Sequence, residues 1–202
     1  MRTDAFAYRL LLLLVLTLLP GPVLADQPTD GLVQYDYVSS RPQAGGDTGD
    51  AHGYELTVGY QLPADLVAFA EYEHLRHPFL PPAAGYRDED DYETGAKLTH
   101  PLNATLLWVT ALAYEEERDT AASGSSTERG YDFVQGLRVV VDPSLELIAD
   151  LHHETVGPAS NVVVLGFLQG FGSRYAIEVE AERSQSDGRF DNSFHLGLRV
   201  YY

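Results

Sequence analysis

Phe194-His195-Leu196-Gly197-Leu198-Arg199-Val200-Tyr201-Tyr202 closes the chain, and its alternation frames everything upstream. Successive side chains of a strand point to opposite faces. Phe194, Leu196, Leu198, Val200 and Tyr202 therefore share an apolar face, while His195, Gly197, Arg199 and Tyr201 share a face that is polar or small. Such a strand suits a wall with lipid on one side and water on the other. A half-buried strand of a soluble sandwich has the same period, so the preceding segments must decide.

Upstream the pattern recurs. Tyr54, Leu56, Val58, Tyr60 and Leu62 alternate with Glu55, Thr57, Gly59 and Gln61. Tyr131, Phe133, Leu137 and Val139 alternate with Asp132, Val134, Gly136 and Arg138. Tyr175, Ile177, Val179 and Ala181 alternate with Ala176, Glu178, Glu180 and Glu182. Counted this way, 32–202 holds ten strands, or eight if weak candidates such as the short first one are set aside. Tight turns fall near 63, 101, 142 and 171. Longer polar stretches fall at 39–52, 75–90, 117–128, 156–160 and 184–192, with 121–127 of loop composition. Short turns at one end and longer loops at the other mark a transmembrane barrel. Tyrosines such as Tyr35, Tyr54, Tyr92 and Tyr131 sit near the strand ends, where barrels place their aromatic girdles. The predicted fold is an all-β, antiparallel, up-and-down transmembrane β-barrel.

The start of the chain supports export. Arg2 and Arg9 precede an apolar run at 10–19 that only Thr17 interrupts; Pro20-Gly21-Pro22 breaks it, and Val23-Leu24-Ala25 ends it. This predicts a signal peptide over 1–25, cleaved before Asp26, and one barrel domain over 26–202. The run is too short for a membrane-crossing helix. Acidic residues outnumber basic ones 30 to 13, a net charge of −17, which argues against nucleic acid as a partner. With no Cys, a disulfide-stapled toxin or inhibitor is excluded.

Ten alternating strands, a leader and an aromatic carboxyl end give a chain that resembles the small outer-membrane β-barrel proteins of Gram-negative bacteria. In kind it is similar to the OmpA transmembrane domain, with two more strands. The resemblance implies the cell outer membrane as location. Outer-membrane lipid and lipopolysaccharide become its surroundings, and the barrel-assembly machinery its partner during biogenesis. It makes Phe194, Leu196, Leu198, Val200 and Tyr202 look like the assembly signal. It carries over no catalytic residue and no cofactor.

The inward face carries the charge. Lys97, Arg138 and Arg199 lie about three residues above the short-turn end, each with an acid on a neighbouring strand. Glu71 is expected beside Lys97, Asp150 and Glu146 beside Arg138, and Glu178 beside Arg199. A lumen partly closed by ion pairs follows, since charges removed from water persist when paired. Phe69, Leu107 and Ile148 are also expected to point inward. Towards the outer end Glu55, Glu73, Glu93, Asp132, Glu154, Glu180 and Glu182 make an acidic vestibule, read either as solvated charge that keeps the lumen wet or as a field that attracts cations. Arg118, Arg129 and Arg189 fall in or beside the expected outer loops, and Arg pairs bidentately with phosphate, so they are candidate lipopolysaccharide contacts. His152-His153-Glu154 is the one cluster with the look of chemistry, His152 and Glu154 sharing a face as a base or as metal ligands. The expected function is a non-enzymatic, structural or surface-interacting barrel. The alternatives are a narrow, porin-like, cation-preferring pore and a barrel hydrolase centred on His152 and Glu154.

Overall fold

The structure is a computed structural model that describes residues 31–42, 49–63, 65–78, 85–186 and 189–202. The leader expected over 1–25 lies outside them. Ten strands form: β1 (Gly31–Pro42), β2 (Ala51–Leu62), β3 (Leu66–Pro78), β4 (Tyr86–Pro101), β5 (Leu106–Ala121), β6 (Gly124–Asp142), β7 (Leu145–Glu154), β8 (Ser160–Phe171), β9 (Tyr175–Ser186) and β10 (Arg189–Tyr201). Each pairs antiparallel with its neighbours in sequence, and β1 pairs with β10 from Leu32↔Tyr201 to Pro42↔Asp191, closing the barrel. Backbone bonds between Gly31 and Tyr202 fasten the lower end of this seam. Closure removes the unpaired edges that an open sheet would expose.

The alternation sorts the side chains. Leu56, Val58, Leu98, Leu112, Phe133, Leu137, Leu151, Leu165 and Phe167 all stand on the outside and are exposed. On a water-soluble protein so wide an apolar surface would be an aggregation hazard; on a barrel it is the lipid band. Tyrosines edge it towards the long-loop end. Tyr35–Tyr54, Tyr54–Tyr72, Tyr72–Tyr92 and Tyr114–Tyr131 form ring contacts with centroids 5.0–6.2 Å apart, running from β1 to β6.

Two expectations about strand extent are corrected. The stretch expected as a loop over 117–128 is largely strand. Arg118 pairs with Thr127, Asp119 with Ser126 and Thr120 with Ser125, and the hairpin turns only at 122–123. Likewise Leu75, Arg76 and His77 pair with Glu89, Asp88 and Arg87 inside the stretch expected as a loop. The tyrosines consequently form a belt partway along these strands, not at their ends. Beyond that belt both faces of the sheet are wet, so the ladder continues without apolar alternation.

Inside, small residues admit large ones. Each even-numbered strand places a glycine towards the lumen: Gly59, Gly95, Gly136, Gly166 and Gly197. Across the ladder these face Phe69, Phe69 again, Asp150, Glu180 and Asp36. At Gly136 and Gly197 the close approach is decisive, because a Cβ would run into the carboxylates of Asp150 and Asp36.

Candidate functional site

The lumen holds a cavity of about 370 Å³, walled by Phe69, Leu107 and Ile148 among apolar groups and by many carboxylates. At its short-turn end two guanidiniums are tied to neighbouring strands. Arg138 donates both terminal nitrogens to Asp150, the Nη2–Oδ2 bond measuring 2.5 Å, and its Nε lies 3.6 Å from Glu146 Oε1. Arg199 donates from Nη2 to Glu178 Oε2 at 2.5 Å and from Nε to Gln34 Oε1 at 2.7 Å, so it bridges β9, β10 and β1 across the seam. The side chains of Arg138, Asp150, Arg199 and Glu178 are 12%, 8%, 16% and 5% exposed. Charge-assisted bonds of this kind, bidentate at Arg138, satisfy charges held away from bulk water.

The expected pairing of Glu71 with Lys97 is corrected. The β3–β4 register sets Lys97 opposite Val67 and Glu71 opposite Glu93, four residues further up. That offset is about 13 Å along a strand, beyond the reach of an ion pair. Glu71 instead accepts a bond from Thr57 at 3.2 Å. Among the described residues no carboxylate lies within 4.0 Å of Lys97. Its charge acts on Arg138, Arg199, Glu178 and Asp150 across the lumen.

Higher up, carboxylates gather around histidines. His195 lies with Nδ1 3.3 Å from Glu55 and Nε2 3.3 Å from Glu182, joining β2, β9 and β10. His152 Nδ1 sits 2.9 Å from Asp132 Oδ2, and Glu154 accepts from the Ser160 hydroxyl. The described contacts of His152 thus include no hydroxyl: the nearby serine is on Glu154. Alternation alone gave no sign of Asp36, which is 1% exposed and sits against Gly197. The available signal was an inward acid on one strand facing an inward glycine on the next.

Above the tyrosine belt, Arg87 is held among acids. Its Nε donates to Asp119 at 2.5 Å and its Nη2 to Glu89 at 3.0 Å, with Glu117 at 3.8 Å. On the outer face Arg129 donates to Glu116 at 2.8 Å, and Arg118 lies 3.8 Å from the same carboxylate. Arg76 pairs with Asp88 and stacks on Tyr86. Arg189 opens β10 and is exposed.

No family model matches the sequence, and no curated protein matches it. Solved structures do share its shape. The beta domain of the Bordetella autotransporter BrkA superimposes with a TM-score of 0.53 at 11% identity, covering 86% of this chain and 100% of that one. The translocator domain of the autotransporter NalP from Neisseria meningitidis gives 0.50 at 15%, covering 98% of this chain and 96% of that one. The KdgM porin in complex with disordered oligogalacturonate gives 0.50 at 9%, covering 85% and 99%. With its closed ring of ten antiparallel strands, the chain has the fold of the outer-membrane β-barrels.

Proposed function

We propose that this chain is a non-enzymatic barrel of the cell outer membrane that serves surface interaction, with a lumen sealed towards the short-turn end. The observation that carries the reading is the height of β3 to β6. From Tyr114 to Ala121, β5 continues as a paired strand above the tyrosine belt, about 23 Å of ladder at strand rise. That sheet is charged on both faces and braced by the Arg87, Arg76 and Arg129 pairs. It offers a stiff polar platform outside the lipid. Arg118 and Arg129, on the outer face above the tyrosine belt, are the proposed contacts for lipopolysaccharide phosphates; Arg189, at the mouth of β10, shares the inward parity of His195 and is proposed with them only through its exposure. Lipid and lipopolysaccharide are then its partners in the membrane, and the last strand, from Phe194 to Tyr202, is its signal to the barrel-assembly machinery.

A second reading, a narrow cation-preferring pore, is favoured by the carboxylate-walled cavity. Planar-bilayer recordings of the refolded barrel separate the two. Sealing gives no reproducible conductance steps, while cation-selective steps that grow in Arg138→Ala or Arg199→Ala would overturn it. For the lipid contact, Arg118, Arg129 and Arg189 changed together to Gln should weaken lipopolysaccharide binding; unchanged binding removes that part of the reading.

A further inference from the structure

We propose that Asp132, His152 and Glu154 form a binding site for a divalent transition metal of the zinc class, reached from the outer mouth of the lumen. The β6–β7 ladder sets Asp132 directly opposite Glu154. His152 precedes Glu154 by two residues, so both project from β7 into the lumen on the same face as Asp132. One ligand atom from each lies within 4.8 Å of the other two. Backbone register thus brings an imidazole and two carboxylates together.

An independent observation points to a missing ligand. The Asp132 side chain is 4% exposed, and its Oδ1, unlike the Oδ2 that meets His152, has no hydrogen-bond partner among the described residues. A buried carboxylate oxygen without a donor is costly, and such orphans call for an ion or water. His152 Nδ1 and Asp132 Oδ2 are 2.9 Å apart. Two ligands each about 2.1 Å from a tetrahedral metal stand about 3.4 Å apart, so an opening of about half an ångström would seat one. A metal would replace the proton they share. His152 would bind as the neutral ring, with its remaining hydrogen on Nε2.

The donor set selects the class. Calcium and magnesium prefer all-oxygen shells, and an imidazole nitrogen favours zinc or its transition-metal neighbours. Three protein ligands leave a position for water. Ser160, donating to Glu154, orients that carboxylate from behind. Glu93 and Glu182 interact electrostatically with His152 across the lumen, adding to the attraction for a cation. Asp132 adjoins Tyr131 of the belt, which places the site at the height of the outer interface.

The test is calorimetric titration of zinc chloride into the refolded full-length barrel, with magnesium and calcium chloride in parallel. One zinc per chain is expected, with no comparable heat from the other two salts. His152→Ala and Asp132→Asn should each weaken zinc binding at least 10-fold, and His153→Ala, on the lipid face, should leave it unchanged. Absence of saturable zinc uptake overturns the proposal. So does uptake unaffected by His152→Ala, or uptake abolished instead by His195→Ala, which would move it to the Glu55/Glu73/His195 cluster. Should His152→Ala not fold, zinc-edge absorption of the His195→Ala barrel decides: one nitrogen with oxygens supports the site, and an all-oxygen shell or no bound zinc overturns it.

Discussion

The Asp150 carboxylate lies over Gly136, its partner directly across the β6–β7 ladder, and from there grips Arg138 with both oxygens. The glycine is what lets a buried aspartate reach two residues along the neighbouring strand. A methyl at 136 would meet Asp150 and stand 3.2 Å from Arg138 Nη1. Gly136→Ala should therefore destabilise the barrel by about 1–3 kcal/mol, the usual cost of overpacking. Gly170→Ala is the control, because its nearest neighbour is 3.6 Å away, and it should change little. Urea-dependent folding into lipid bilayers measures both.

Arg199 tests the seam. It ties β10 to Glu178 on β9 and to Gln34 on β1, the two strands that flank it at closure. Arg199→Glu would set a carboxylate beside Glu178, in a wall that already holds buried Asp36. Most of the protein should then fail to show the heat-dependent gel shift of a folded barrel. Arg189→Glu, on an exposed position, should shift stability by no more than about 0.5 kcal/mol. Equal folding of the two variants would remove Arg199 from the closure.

Lys97 and Arg138 face one cavity but differ in partners. Arg138→Met would leave Asp150 buried and uncompensated, at about 3–5 kcal/mol. Among the described residues Lys97 has no carboxylate at ion-pair distance, so Lys97→Met breaks no described pair and should cost less than about 1 kcal/mol. The same urea titration ranks them. A Lys97 cost matching that of Arg138 would mean that the lysine is held by a carboxylate after all.

The fold was legible because lipid imposes a period of two, and the row Phe194/Leu196/Leu198/Val200 obeys it on the last strand as Tyr54/Leu56/Val58/Tyr60 does on the second. Where lipid ends, so does the signal: Ser125, Ser126 and Thr127 read as loop although they are laddered to Thr120, Asp119 and Arg118. Register was the other blind spot. Alternation repeats every two residues, so it places Lys97 and Glu71 on the same face without fixing their relative height. Arg138 with Asp150, and Arg199 with Glu178, are offset by two residues in their ladders, within reach of long side chains. The His152 and Glu154 spacing was visible, but Asp132 joins them only through the β6–β7 pairing.

The lipid band yields a depth-dependent test. Leu112 and Thr120 lie on one strand and point outward, Leu112 below the Tyr114 ring and Thr120 above it. Leu112 is 58% exposed, which in water would be unremarkable for a substitution to arginine. In a bilayer it is the opposite: a charge on the lipid face near the midplane costs about 2–4 kcal/mol, falling towards zero at the interface. Leu112→Arg, one outward position below the belt, should lose part of that, about 1–3 kcal/mol, in lipid vesicles, and Thr120→Arg about 0–1 kcal/mol. If the two variants behaved alike in vesicles, the apolar belt would not be a lipid contact, and the outward rows from β1 to β10 would need another cover.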